Sequence, residues 1–425
     1  MEAPDSCLSV ERLSSNSTAV PDILLAQARE DEASIAKTLQ NVLRLIRSHL
    51  DMEIAFISEF RDGRRFFRYI DSEQEETPIQ IGDSNPLEES YCQRVVDGRL
   101  PELITDALQC PAALELEVTV ALPVGAHLSV PICLGNGCLY GTFCCFSRKP
   151  DPTLMERDLS LMRAFAEFVS QQIEQDLVAN QTRNEVRERI LSILNSSSIG
   201  IVYQPIYCVS QARFIGFESL TRFMADPPQA PNVWFDEAQQ VGLSERLEML
   251  VIHKVLQDLP QFPDDVYITL NVSPENILSG AITRSLVDVP LERIVLEVTE
   301  HAPIDDYGTF ERMLSPLRDK GVRLAVDDAG AGYASFRHIL NLKPDIIKLD
   351  MSLTRDIHLD AARRALATAL ITFAGETESQ IVAEGVETIA ELEVLKKLRV
   401  NKVQGYLMGR PMPSSDATVL VQASN

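Results

Sequence analysis

The chain changes its hydrophobic rhythm twice. From about Pro21 the run ILLAQAREDEASIAKTLQNVLRLIRSHL places apolar residues at Ile35, Leu39, Val42, Leu43 and Ile46, a spacing of threes and fours that predicts an amphipathic helix. Apolar runs of strand length follow at 53–60, 64–71, 127–134 and 138–147, and Asn136-Gly137 between the last two predicts a hairpin. From Pro152 to Leu194 there is no glycine and no further proline, while Met162, Phe165, Val169, Ile173 and Leu177 step by threes and fours. That stretch predicts one long helix or two nearly continuous ones. Its stripe runs further than one sheet needs for cover, so a second copy of the same helix is expected to bury the excess.

After Asn195 the pattern becomes short apolar runs separated by helical stretches. The runs are 201–207, 214–220, 266–273, 293–300, 323–330, 345–350, 380–387 and 401–409. Eight strands alternating with helices over about 230 residues predict a (β/α)8 barrel of the TIM type. The expected class is therefore α/β, with the barrel preceded by an α+β domain built on an antiparallel sheet. Residues 1–21, rich in Ser, Asn and Glu, read as a mobile arm, 22–178 as the first domain, 179–196 as a helical linker and 197–425 as the barrel.

Composition narrows the partners. With 62 acidic against 39 basic residues the formal charge is −23 over 425 residues, so the surface repels phosphate backbones and a nucleic-acid polymer is not an expected partner. Neither a spanning apolar window nor a basic start followed by an apolar stretch is present, so no membrane contact is expected and a cytoplasmic location is. None of the eight cysteines forms a CxxC pair, and those in TFCCF (142–146) read first as small buried hydrophobes, with a redox or ligand-sensing role as the second reading.

The chemistry lies at the strand ends. Each barrel strand except the first is an apolar run ending in polar residues: Glu218, Asn271, Glu297, the pair Asp327 and Asp328, Lys348, Glu384 and Gln404. In such a barrel the C-terminal ends of the strands converge on one mouth. A single carboxylate there reads as a cap or a solvated terminus, but the pattern on seven strands does not. Buried carboxylates in that number need counter-charge, and an all-oxygen donor set suits Mg²⁺ or Mn²⁺ rather than zinc or copper.

These residues carry a resemblance. FESLTRF at 217–223 resembles the EAL motif, and NVSP, EVTE, DDAGAGY, IIKLD, AEGVE and QGYLMGRP resemble that family's other blocks in order. The resemblance implies a cyclic-di-GMP phosphodiesterase that yields linear pGpG with two divalent ions about 4 Å apart. By position it implies Glu218, Asn271, Glu297 and Asp327 as ligands of a first ion. Asp327 would bridge to a second ion completed by Asp328 and Glu384. It further implies Lys348 as the holder of the attacking water, Gln404 as its neighbour, Gln204 and Arg222 as substrate and phosphate contacts, and Glu300 and Glu387 as carboxylates behind the ligands. The preceding segment, with YCQRVVDGRLPELITDA at 91–107, is similar to a GAF sensor domain. That likeness implies a small-molecule pocket, for a ligand it does not name, or a dimerisation module; with the stripe of the exit helix and the pairing of barrels that the EAL likeness implies, a homodimer through the exit helix and the barrel, under control of the first domain, is expected.

Three positions depart from the EAL pattern: Ser219 for Ala, Ala329 for the usual Phe, and His301 after EVTE. None is an implied ligand. The alternative is a non-catalytic cyclic-di-GMP receptor that signals through a protein partner. Degenerate receptors of that kind lack ligands or the lysine, and this chain has all of them.

Overall fold

The computed structural model describes residues 23–74, 77–226, 228–299, 304–329 and 334–424. The arm expected over 1–21, Glu300, His301 and residues 330–333 of the loop after the aspartate pair lie outside them. The chain divides into two compact units that meet between Asn184 and Glu185. That division falls inside a single helix, Glu156–Leu194. No helix of the described residues is long and apolar enough to cross a membrane.

The first unit is built on a six-stranded antiparallel sheet. Its strands are β1 (Ile54–Arg61), β2 (Arg64–Ser72), β3 (Ser84–Pro86), β4 (Leu103–Ile104), β5 (Ala126–Cys133) and β6 (Leu139–Ser147), ordered β3-β2-β1-β6-β5-β4. The four longer strands lie at the expected runs. β3 and β4, of three and two residues, are too short to leave a periodic signal. One face of the sheet is covered by the helix Ile23–His49 and by Glu156–Leu194, whose Leu39, Leu43, Ile46, Met162, Val169 and Ile173 share a core with Ile57, Val130 and Cys145. Here the structure corrects an expectation. The stripe read as excess is used by the unit's own sheet as far as Ile173, and of its five members only Leu177 is left exposed. The other face packs beneath the short helix Tyr91–Val96.

The second unit is a closed eight-stranded barrel: β7 (Ile199–Cys208), β8 (Arg213–Phe223), β9 (Tyr267–Asn271), β10 (Ile294–Thr299), β11 (Arg323–Ala329), β12 (Ile346–Leu349), β13 (Gln380–Ala383) and β14 (Lys402–Gln404). It departs from the expected strict alternation at one point. β7 runs antiparallel to both β8 and β14, while the other neighbours are parallel. The reason is length: residues 209–212 suffice for a hairpin turn, whereas a parallel crossover needs about a dozen or more.

Alternation along the strands sorts the barrel into layers. Outward residues such as Leu296, Val298, Leu324 and Val326 join the helices in the main core. Inward residues Val295, Ala325, Ile346 and Val382, with Ile206 and Tyr267, plug the interior. Gly216 leaves room for that plug, since a Cβ there would stand 2.6 Å from the Tyr267 ring. Two residues further along β8 and along β10 to β14, on the same inward face, stand most of the polar groups of the site; on β9 Asn271 lies four residues beyond Tyr267.

Candidate active site

Val295 is followed on its face by Glu297, Ala325 by Asp327, Ile346 by Lys348 and Val382 by Glu384. The same two-residue step carries Gly216 to Glu218 and Lys402 to Gln404. Parallel register then sets neighbours side by side, with Asn271 level with Glu297 and Asp327 level with Thr299. Gln204 on β7 is paired with Glu218.

Lys348 is the centre of this layer. Its Nζ lies 2.8 Å from Glu384, 3.0 Å from Glu297, 3.2 Å from Asp327 and 3.5 Å from Glu218, and the lysine is 1% exposed. Burial works against its charge, but Asp327, Glu218, Glu297 and Glu384 outweigh it and hold the ammonium well above its ordinary range. One ammonium does not neutralise so many acids. Burial, with the nearby Glu218 and Asp327 charges, pushes Glu297 up to about 8 against the pull of Lys348. Burial raises Glu384 as well. Further positive charge is therefore called for.

The donor set fits divalent ions. Glu218, Glu297 and Asp327 offer oxygens that lie within 4.8 Å of one another, and so do Asp327, Asp328 and Glu384, so that Asp327 belongs to both groups. Asp328 takes φ +58°, and its N–H donates to the Asp327 carboxylate at 2.9 Å, which fixes the two acids against each other. Gln404 donates from Nε2 to Glu218 and, at 3.2 Å, to Gln204, while its buried Oε1 has no partner. A free acceptor in a ring of acids suits a water or an ammonium rather than another carboxylate.

The remaining expected residues are placed less centrally. Asn271 stands beside Glu297 but is exposed at the rim. Arg222 is near the end of β8, donates to the Thr221 carbonyl at 2.9 Å and lines a cavity of about 310 Å³. A second cavity of about 440 Å³, lined by Glu297, shares Asn271, Phe235, Glu248 and Thr299 with it. Glu387 is exposed and paired with Arg355 at 3.2 Å. Ser219 points away from the acids, its hydroxyl donating to the Thr269 carbonyl at 2.6 Å.

Glu248 was not singled out from the sequence. It sits on the helix Ser244–Asp258, is buried at the groove, and accepts from the Ser273 N–H at 3.0 Å. Its position mid-helix in LEML gives no strand-end signal; only the periodicity of that helix could have placed it on the face toward the barrel.

Comparison with known proteins gives the family. A family model of the EAL domain matches residues 183–411, and one of the GAF domain matches 34–173. The chain is 30% identical over 223 residues to the probable cyclic di-GMP phosphodiesterase PdeD of Escherichia coli, covering 50% of this chain and 41% of that protein. It is 30% identical over 261 residues to the cyclic di-GMP phosphodiesterase NbdA of Pseudomonas aeruginosa, covering 58% of this chain and 33% of that one. The chain thus spans less than half the length of either relative. Among solved structures, the PaMucR phosphodiesterase in complex with c-di-GMP superposes with a TM-score of 0.50 at 27% identity, over 55% of this chain and 99% of that one.

Proposed function

The chain belongs to the EAL domain family, with a GAF domain ahead of its barrel, and from that premise we propose that it hydrolyses cyclic-di-GMP to linear pGpG with Mg²⁺ or Mn²⁺. The observation that carries this reading is the pair of carboxylate groups that share Asp327 around the buried Lys348. Glu218, Asn271, Glu297 and Asp327 would hold one ion, and Asp327, Asp328 and Glu384 the other. Ions held there would supply the charge that lowers the pKa of a water and stabilises the leaving 3′ oxygen.

The protein's own groups do the rest. Lys348 Nζ would hold the water and, once bound ions offset the four acids that keep it an ammonium, help take its proton, and the Gln404 amide, anchored on Glu218 and Gln204, would orient it. Arg222 would receive a phosphate with its forked guanidinium, and Gln204 would contact the substrate. Glu300 and Glu387 would support the ligands from behind. The GAF domain would set the activity through the helix Glu156–Leu194, in a cytoplasmic homodimer that pairs through that helix and the barrel.

The test is direct. The full chain, incubated with cyclic-di-GMP and Mg²⁺ or Mn²⁺ and followed by chromatography, should release pGpG. Excess chelator should stop the reaction, and Ca²⁺ should block it because the larger ion relaxes the geometry a two-metal displacement needs. Turnover in excess chelator would remove the metal assignment, and binding of the dinucleotide without any turnover would favour the receptor reading.

A further inference from the structure

The GAF domain contains a buried cation that no carboxylate among the described residues balances. Arg65, on β2, is 7% exposed. Its Nε donates to Asn85 Oδ1 at 3.1 Å, and its guanidinium stacks 4.5 Å from the Phe67 ring centroid and 5.7 Å from that of Phe56. Among the described residues no Asp or Glu forms an ion pair with it. Its remaining partner is a thiol: Nη1 lies 3.1 Å from Sγ of Cys92, in the short helix Tyr91–Val96. His127 adds no charge, because burial, followed by the nearby Arg65, pushes its imidazole far down. A buried guanidinium in aromatic surroundings requires an anion, and the group placed to become one is the Cys92 thiolate.

A second sulfur is at hand. Sγ of Cys144, on β6, lies 3.5 Å from Sγ of Cys92 and 3.1 Å from the hydroxyls of both Ser129 and Thr142. The two cysteines are 52 residues apart, come from facing elements and are both fully buried. Cys145, one residue on, points to the opposite face of the sheet and sits in the apolar core with Leu39 and Met162. Burial pushes the Cys145 thiol up. At Cys92 burial also works against the anion, but the hydrogen bond from Cys144 and the Arg65 charge outweigh it and bring the thiol well below its ordinary range.

We infer that Cys92 and Cys144 form a peroxide-responsive dithiol site inside the GAF domain, with Arg65 as the group that activates Cys92. The Cys92 thiolate attacks a hydroperoxide, forming an S–O bond as the O–O bond breaks; the sulfur becomes a sulfenic acid, and the alkoxide or hydroxide that leaves takes a proton from solvent. The Cys144 thiol then attacks the Cys92 sulfur, forming the disulfide, and the expelled hydroxyl departs as water with the Cys144 proton. Two thiols are oxidised by two electrons and one peroxide is reduced. Full burial restricts the oxidant to a molecule near the size of water, which favours hydrogen peroxide over bulkier disulfides.

Oxidation would also act on the fold. Closing the bond from 3.5 Å to about 2.05 Å draws the helix Tyr91–Val96 onto β6. It also removes the one anion that the described residues place against Arg65, leaving a buried guanidinium that must recruit another anion or turn outward.

Mass spectrometry of the 425-residue chain after graded hydrogen peroxide and alkylation of the remaining thiols tests this. The expected product is a peptide pair cross-linked through Cys92 and Cys144, with Cys92 oxidised at least about tenfold faster than Cys145 in the same molecule. Cys144→Ser should leave a dimedone-reactive sulfenic acid at Cys92, and Arg65→Met should slow its formation. The comparison of Cys92 with Cys145 needs no variant, so a misfolded mutant would not spoil the test. Cys92 and Cys144 remaining reduced while the exposed Cys133 oxidises would overturn the site. A stable Cys92 sulfenic acid in the unaltered protein would overturn the part given to Cys144.

Discussion

At the residue scale, the site is an electrostatic balance in which Lys348 stands in contact with four acids. Lys348→Ala should abolish measurable turnover. It should also lower the stability of the metal-free protein by about 3–5 kcal/mol, because it leaves those acids facing one another, and Mg²⁺ should restore part of the loss. Thermal melts in chelator and then in metal check both halves. Glu218→Ala and Asp327→Ala should be equally inactive, whereas Glu300→Ala should cost roughly 10- to 100-fold by acting through the ligands. These residues were legible because each ends an apolar run. Lys402 was not, since it opens a strand of three residues, and there it lies buried on the barrel floor, 3.4 Å from the Tyr267 hydroxyl, with Arg323 stacked on the same ring. Burial, then the like charge of Arg323, pulls its ammonium down to about 8 against a smaller opposite pull from Cys208. A lysine depressed in the folded state binds fewer protons there than when unfolded. It therefore destabilises fully below pH 8, and the penalty fades as pH rises toward the unfolded value of about 10.4. Lys402→Met should accordingly stabilise the protein at pH 7, by an amount on the order of 1–3 kcal/mol, and the gain should shrink by pH 10; denaturant melts at the two pH values read the difference.

At the element scale, the two-residue step from the apolar plug to the acid layer is what brings six of the eight strands to one site, and it is legible in the sequence as Val295-x-Glu297 or Ile346-x-Lys348. The direction of β7 could not, because an apolar run carries no sense of polarity; only the four-residue link to β8 excludes the parallel arrangement. The turn after β13 was equally hidden. Gly385 follows Glu384 at φ +64°, and a Cβ there would stand 2.5 Å from Cβ of Met351. Gly385→Ala should therefore shift the backbone that carries Glu384, losing turnover by at least about tenfold and stability by roughly 1–3 kcal/mol. Gly137, in the β5–β6 hairpin, has φ +82° with open space around it. Gly137→Ala should cost only the conformational strain, about 1 kcal/mol, and leave turnover unchanged. Equal losses of turnover in the two variants would show that positive φ alone, not the clash beside Glu384, sets the effect.

At the scale of the whole molecule, the helix Glu156–Leu194 is the covalent route from one unit to the other, and where it is cut decides what a truncation can teach. The sequence suggests a barrel beginning near 197. In the structure Val186, Ile190 and Ile193 pack with Ile199, Trp234 and Leu247, and Arg189 pairs with Glu237. Each such side chain contributes about 1.5–3 kcal/mol when buried, so a chain starting at 195 would lose barrel stability and regulation together. Residues 185–425 keep these contacts and are the proper isolated barrel. On the proposed reading, this fragment should melt cooperatively and hydrolyse cyclic-di-GMP, but at a turnover different from the full chain and with weaker self-association. With Ile173 and its predecessors committed to the GAF domain's own core, a helix pairing would rest on Leu177 and Val178, both exposed, and on surfaces of the barrel. A coupling of about 1–3 kcal/mol between two dimer arrangements would suffice to change turnover several-fold. Sedimentation and rate measurements on both proteins decide it: a full chain that is monomeric at micromolar concentration and turns over at the fragment's rate would remove both the dimer and the control by the GAF domain.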